Sequence, residues 1–306
     1  MGWRLHLSTQ PIFSVQFVPG DTPQVAVWDS RHNVHFYNQH DATPSGTRKF
    51  AECQPPADLR DPFWAGFVTE LYAPNGSLLP VVYLSGLTIF QSRDGRMRLY
   101  HFQSGGLVLE VDGRYIALDR EQDGRFLIAG LDRTLGLSAA LNEEGILYIY
   151  QQHVRVGAFD LGFSLNVDSR LNLLVPQAAG SLVVSDGERL VITDSAGRVQ
   201  HELIAHYTIG PVAVSPNGQL IVLGDIDDNL LRVYQKNLHQ THQKHAIDLV
   251  VEARQVQLLA SLPGRKAALA ALDISNEGDV VFALGGVVCA THLAALDALP
   301  QPRPLL

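Results

Sequence analysis

The chain repeats itself. GLVLEVDGRYIALDREQDGR, starting at Gly106, returns as GSLVVSDGERLVITDSAGR, starting at Gly180. The turn pair Asp112-Gly113 recurs as Asp186-Gly187, a shift of 74 residues (186 − 112). The echo continues, because LGLSAALNEEGILYIY from Leu135 parallels GPVAVSPNGQLIVLGD from Gly210. Repetition at periods of roughly 20–50 residues marks solenoids and propellers, in which one small unit cannot bury its apolar face alone and must stack on its neighbours. Half of the observed shift falls in that window.

Almost every segment alternates apolar and polar residues over five to seven positions and then meets Gly, Asn, Asp or Pro, which is the signature of short strands. The first set is IFSVQFV, QVAVWD, NVHFYN and TRKFAE (Ile12 to Glu52), and the second is FVTELY, LPVVYL, LTIFQS and RMRLY. Further sets cover about His101 to Asp132, Leu135 to Asp168, Leu171 to Ile204, Gly210 to Val251, and Leu269 to Leu293. Hairpin-type pairs recur between them, among them Asp94-Gly95, Asp112-Gly113, Glu144-Gly145, Asn217-Gly218 and Glu277-Gly278. Such pairs supply the positive φ that a tight hairpin needs. The pattern predicts an all-β chain, a single domain over residues 1–306 built as a seven-bladed β-propeller, in preference to six or eight blades. The last set has only three strands, and WRLHLST (Trp3 to Thr9) is a spare strand of the right length. It is expected to complete that blade and close the ring, because radial closure leaves only short sheet edges.

Composition narrows the function classes. A net charge of −8 argues against general nucleic-acid binding, which needs a concentrated basic face. No run reaches the roughly 18–20 apolar residues of a membrane-spanning helix, so membrane insertion is not expected. The start MGWRLHLSTQPIF lacks a basic stretch followed by an apolar block, and Cys53 and Cys289 are too few for a disulfide framework. A cytoplasmic protein with reduced thiols is the expectation.

The segment AHYTIGPVAVSPNGQLIVLGDIDDNLLRVYQ (Ala205 to Gln235) resembles a WD-repeat. His206, Ser215-Pro216-Asn217-Gly218, Asp228 and Tyr234-Gln235 stand where that family has its Gly-His pair, Ser-Pro-Asp-Gly turn, turn aspartate and Trp-Asp end. Ala205 replaces the glycine, and Tyr234-Gln235 replaces the Trp-Asp. The first and fourth units are similar more weakly. The resemblance implies that His206 and Asp228 belong to a buried hydrogen-bond network. It also implies a rigid, non-enzymatic platform for other macromolecules.

Several constellations invite a chemical reading. HELIAH (His201 to His206) has its histidines five apart rather than four, and on a strand an odd separation sends side chains to opposite faces, so the pair cannot share a zinc ion. HQTHQKH (His239, His242, His245) lacks a nearby cysteine or carboxylate. DIDDN (Asp225 to Asn229) lacks the glycine and distal glutamate of a calcium loop. Arg93, Arg96, Arg98, Arg114, Arg120, Arg125 and Arg133 could grip phosphate or an acidic peptide if several reached one face, but strand alternation is expected to scatter them. Trp64, in RDPFWAGF, is either a wedge between blades or an interface anchor.

These readings converge on an interaction scaffold that binds other proteins or peptides, free or as one subunit of a larger assembly, with no cofactor or metal. The residues expected to meet a partner are Arg31, His32, Asp225 and Asp227, on turns between second and third strands, and Trp64, Arg133 and Tyr207, between blades. The WD-repeat resemblance implies that all of them crowd one mouth of the ring. The alternative is a propeller enzyme, a lactonase-like hydrolase, with a metal held in the axial channel by carboxylates drawn from Glu70, Asp119, Asp168, Asp194 and Asp273.

Overall fold

The computed structural model describes residues 2–7, 11–50, 71–134, 136–165, 170–176, 180–227, 230–235, 256–257 and 269–293. They form six antiparallel sheets set around an axis, where seven were expected. β1 (Trp3–His6) stands apart from its chain neighbours. Blade one is β2 (Ile12–Val18), β3 (Gln24–Asp29), β4 (Asn33–Asn38) and β5 (Pro44–Lys49). Blade two has five strands: β6 (Val81–Leu84), β7 (Leu87–Gln91), β8 (Met97–Phe102), β9 (Leu107–Val111) and β10 (Arg114–Ala117). Blade three is β11 (Phe126–Leu131), β12 (Leu137–Asn142), β13 (Ile146–Gln151) and β14 (Val154–Asp160). Blade four is β15 (Asn172–Leu174), β16 (Ser181–Ser185), β17 (Arg189–Asp194) and β18 (Val199–Ile204). Blade five is β19 (Ile209–Val214), β20 (Leu220–Asp225), β21 (Leu230–Gln235) and β22 (Val256–Gln257). Blade six is β23 (Leu269–Ile274), β24 (Asp279–Leu284) and β25 (Val287–His292), completed by β1.

The closure is the one expected from the spare N-terminal strand. β1 lies antiparallel to β25, with Trp3 opposite Ala290 and His6 opposite Val287. Trp3 Nε1 donates to the Gln39 carbonyl of blade one at 2.6 Å, and Gln39 Nε2 donates to Asp279 of blade six at 2.9 Å. The core is correspondingly divided into six apolar clusters, each shared by two adjacent blades. Trp28, Phe36 and Phe50 meet Val82, Ile89 and Tyr100 between blades one and two. Val15, Val25 and Val27 meet Val281, Ala283 and Val288 where blade six meets blade one.

The seventh blade is lost because two expected units collapse into one sheet. LPVVYL, LTIFQS and RMRLY supply β6, β7 and β8, while LVLEV and RYIA become β9 and β10 of that same sheet. FLIAGL, expected to finish the third unit, instead opens blade three as β11. Only β7 to β10 match the four strands of an ordinary blade. The turn after β7 makes this plain: Ser92 Oγ bonds Asp94 and accepts the Met97 N–H at 2.9 Å, just as Ser215 Oγ bonds Asn217 and accepts the Leu220 N–H at 2.9 Å after β19. β6 is therefore an additional innermost strand, antiparallel to β7, tied to β2 through Gln16. The sequence echo is likewise a hairpin likeness displaced by one strand. Asp112-Gly113 joins the third and fourth strands of its blade, whereas Asp186-Gly187 joins the second and third.

Candidate functional site

The innermost strands β2, β6, β11, β15, β19 and β23, with part of β7, enclose an axial channel of about 630 Å³. Its two mouths differ. The upper mouth carries the turns between second and third strands, and the lower mouth those between first and second.

At the upper mouth a cavity of about 380 Å³ opens between blades one, two and three, bounded by Phe13, His32, Tyr83, His101, Gln103 and Arg125. The β3–β4 turn shapes one wall. Asp29 Oδ1 accepts the N–H groups of Arg31 at 2.9 Å and Asn33 at 3.0 Å, which forces the residue between them into the left-handed region: His32 has φ 60°. A non-glycine residue held there is uncommon and marks stored backbone strain. Burial disfavours the Asp29 charge, but the hydrogen bonds from Asn33 and Arg31 outweigh it and hold the pKa below the ordinary aspartate value. His32 thus stays aimed at the cavity, with its buried Nδ1 lacking a hydrogen-bond partner among the described residues.

An aromatic ladder runs from His32 into the core. Its ring packs edge-on to Phe13 at 5.6 Å, Phe13 to Tyr83 at 5.2 Å, and Tyr83 to Trp28 at 5.3 Å. Tyr83 sits on β6, and its hydroxyl accepts from Ser14 Oγ at 3.3 Å. Burial raises the Tyr83 pKa, so the phenol stays neutral. Across the cavity, His101 Nε2 lies 3.1 Å from the Phe126 carbonyl, which can only accept, so that nitrogen carries the proton. Burial is the main cause of its lowered pKa, with Arg125 acting in the same direction. Tyr83 and His101 therefore present neutral rings to the cavity, and Arg125 supplies a cation at its rim.

Of the residues expected to meet a partner, Arg31 and Asp227 are exposed at the upper mouth and His32 lines the cavity there. Tyr207 is half-buried: Arg232 stacks over its ring at 4.1 Å, and its hydroxyl lies 2.9 Å from that of Tyr234. Three expectations are corrected. Asp225 is fully buried, because Arg232 grips its carboxylate at 2.6 and 3.0 Å, so it braces the turn and cannot touch a partner. Arg133 is not between blades; it lies in the β11–β12 turn, at the lower mouth, where its carbonyl accepts the Arg93 N–H at 2.9 Å. His206 is exposed, beyond the end of β18, and so is no member of a buried network. Trp64 and Asp228 lie outside the described residues.

The carboxylates of the enzyme reading do not converge. Asp273 alone of the five lines the channel among the described residues; Asp119 is exposed beyond β10 and Asp194 caps the β17–β18 turn, while Glu70 and Asp168 fall outside them. Among the described residues no three His, Cys, Asp or Glu side chains form a group that could hold a metal ion. Ser14, Gln16 and Tyr83 line the channel without belonging to any motif in the sequence. The signal for the first two was present: Ser14 and Gln16 occupy alternate positions of an otherwise apolar strand, the side that faces the channel.

No family model and no curated protein matches the chain. Among solved structures it is similar to the WD40 β-propeller domain of Doa1, with a TM-score of 0.58 at 14% identity, over 96% of this chain and 97% of that one. The fold is therefore a WD40-like β-propeller, here with six blades.

Proposed function

We propose that the protein is a non-enzymatic interaction scaffold whose upper mouth receives a segment of another protein, in the cytoplasm, alone or as a subunit of a larger assembly. The observation that carries this reading is the aromatic cavity built around His32. Its walls set the aromatic rings of Phe13 and Tyr83 among the polar side chains of His32, His101 and Gln103, and an anchor residue that stacks on the rings while hydrogen-bonding beside them is what such a surface recognises. Arg31, Arg125 and Asp227 stand exposed at the same mouth and supply the polar rim. The fold fits this role, since its usual use is to present loops from a rigid ring.

The test is a crosslinked pull-down comparing the wild type with His32→Asn, which tolerates the left-handed turn, and with the pair Arg31→Ala/Asp227→Ala. Partners should be lost from both at unchanged melting temperature, while Gln200→Ala, on exposed β18, retains them. Equal recovery of the same partners by all four proteins would sink the reading.

A further inference from the structure

The lower mouth holds a second cavity, of about 640 Å³, between blades two and three, bounded by Arg93, Arg96, Arg133, Asp94, Asp112 and Gln152 among others. The expectation that strand alternation would scatter the arginines fails here for three of them. Arg93 and Arg96 flank the tight β7–β8 turn, and the backbone bond from Arg93 to the Arg133 carbonyl clasps that turn against the β11–β12 turn.

The three guanidiniums are not equivalent. Arg96 Nε is committed to Asp112 at 2.8 Å. Asp94 is occupied by the Ser92 hydroxyl at 2.7 Å and the Arg96 N–H at 3.1 Å. Neither Arg93 nor Arg133 makes a contact-distance ion pair among the described residues. Arg133 is half-buried, and its Nε is closed off from water without a hydrogen-bond partner among the described residues. Burial first, and the like charge of Arg93 second, work against its protonation, with the Asp273 carboxylate in the channel partly offsetting them. The lining sets three arginines, Arg93, Arg96 and Arg133, against the two carboxylates of Asp94 and Asp112, which leaves an excess of one positive charge (3 − 2) in a chain whose net charge is −8. Such an arrangement is satisfied by an anion that accepts from the Arg93 and Arg133 forks at once.

We propose that this cavity is an oxyanion site for a phosphate monoester. A phosphate group offers three acceptor oxygens, enough for the Arg93 and Arg133 guanidiniums at once, whereas the two oxygens of a single carboxylate are used up by one bidentate fork. The cavity is larger than the phosphoryl group alone, so the rest of the ester extends toward Met97, Val111 and Gln152. This site is independent of the upper-mouth reading, which can fail without affecting it.

The experiment is calorimetric titration of the full chain at constant ionic strength with inorganic phosphate, phenyl phosphate, O-phosphoserine and glutamate. The phosphates should bind and glutamate should not. Phosphoserine exceeding phenyl phosphate assigns the ester to a modified residue, and the reverse order assigns it to a small molecule. Arg133→Gln and Arg93→Gln should each weaken phosphate binding by about tenfold or more, while Arg96→Gln, already paired, should change it by less than about threefold. Arg93 is exposed, so its variant remains informative if Arg133→Gln does not fold. Absence of phosphate binding, or affinity that is the same in wild type and Arg93→Gln, overturns the proposal.

Discussion

The Asp273 carboxylate accepts the backbone N–H of Phe17 at 2.7 Å, joining the innermost strand of the last blade to that of the first. Its other oxygen accepts the N–H of Ile274 at 2.9 Å. The side chain is half-buried at the channel wall, and desolvation pushes its pKa up to about 6 from the ordinary 3.8, against the pull of both hydrogen bonds and of Arg133. The folded chain therefore holds this proton more tightly than the unfolded chain does. Asp273 favours the fold below pH 3.8, and that contribution is lost as the pH rises through about 6. The amount is about 3 kcal/mol at most, and less where channel water screens the carboxylate. Urea unfolding across this interval should show the slope in the wild type and a flatter profile in Asp273→Asn. Asp273→Ala, which strands the Phe17 N–H, should lose about 1–3 kcal/mol near neutrality.

The seam between blades six and one should be the most exposed to truncation. Trp3 packs, partly buried, against the apolar cluster of this seam and anchors β1 through its bond to Gln39. Trp3→Ala is expected to lose about 2–4 kcal/mol. Amide exchange should locate the damage: the protons of β25 that bond β1 should exchange faster, with β12 and β13 little changed.

Asp225 and Arg232 form a buried pair roofed by the Tyr207 ring. Removing one partner leaves a charge in a site that excludes water, at a cost of about 3–5 kcal/mol, more than the pair itself contributes. Arg232→Met should thus destabilise strongly, and Asp225→Asn added to it should recover part of the loss. Denaturant midpoints of the four proteins in that cycle give the coupling directly.

Two turn glycines should respond differently to alanine. Gly105 has φ +99°, and a Cβ there would strike Arg125 and approach its backbone at 3.1 Å, so Gly105→Ala costs the left-handed conformation plus a displacement of the upper-mouth rim. Gly113 has φ +77° with open space around it, so Gly113→Ala costs only the conformation, roughly 1 kcal/mol. Thermal melts should rank them in that order.

Strands, turns and ring closure were legible because each is a local property. The glycines of Asp94-Gly95, Glu144-Gly145, Asn217-Gly218 and Glu277-Gly278 all adopt the positive φ their pairing implied, and the unpaired edge of the last three-stranded set pointed to Trp3–His6. The blade count was not legible, because LPVVYL alternates as any blade strand does; what makes β6 an extra inner strand is its tie to Gln16, 65 residues away. The site failed to show for the same reason. Arg133 meets Arg93, and Phe13 meets Tyr83, only through the packing of separate blades. Asp225 looked like a surface residue because its turn is polar, and nothing nearby in the chain announces that Arg232 folds back over it.

The pairing of Trp3 with Ala290 also governs how the molecule comes into being. A ribosome delivers β1 long before β25, so all five intervening blades must be synthesised before the two can find each other, and until they do the last sheet offers a bare edge to any passing strand. A β1 from a second copy is the best competitor for that edge, since it carries the identical register. Refolding at high protein concentration should accordingly yield exchanged dimers, and dilution should favour the self-closed monomer.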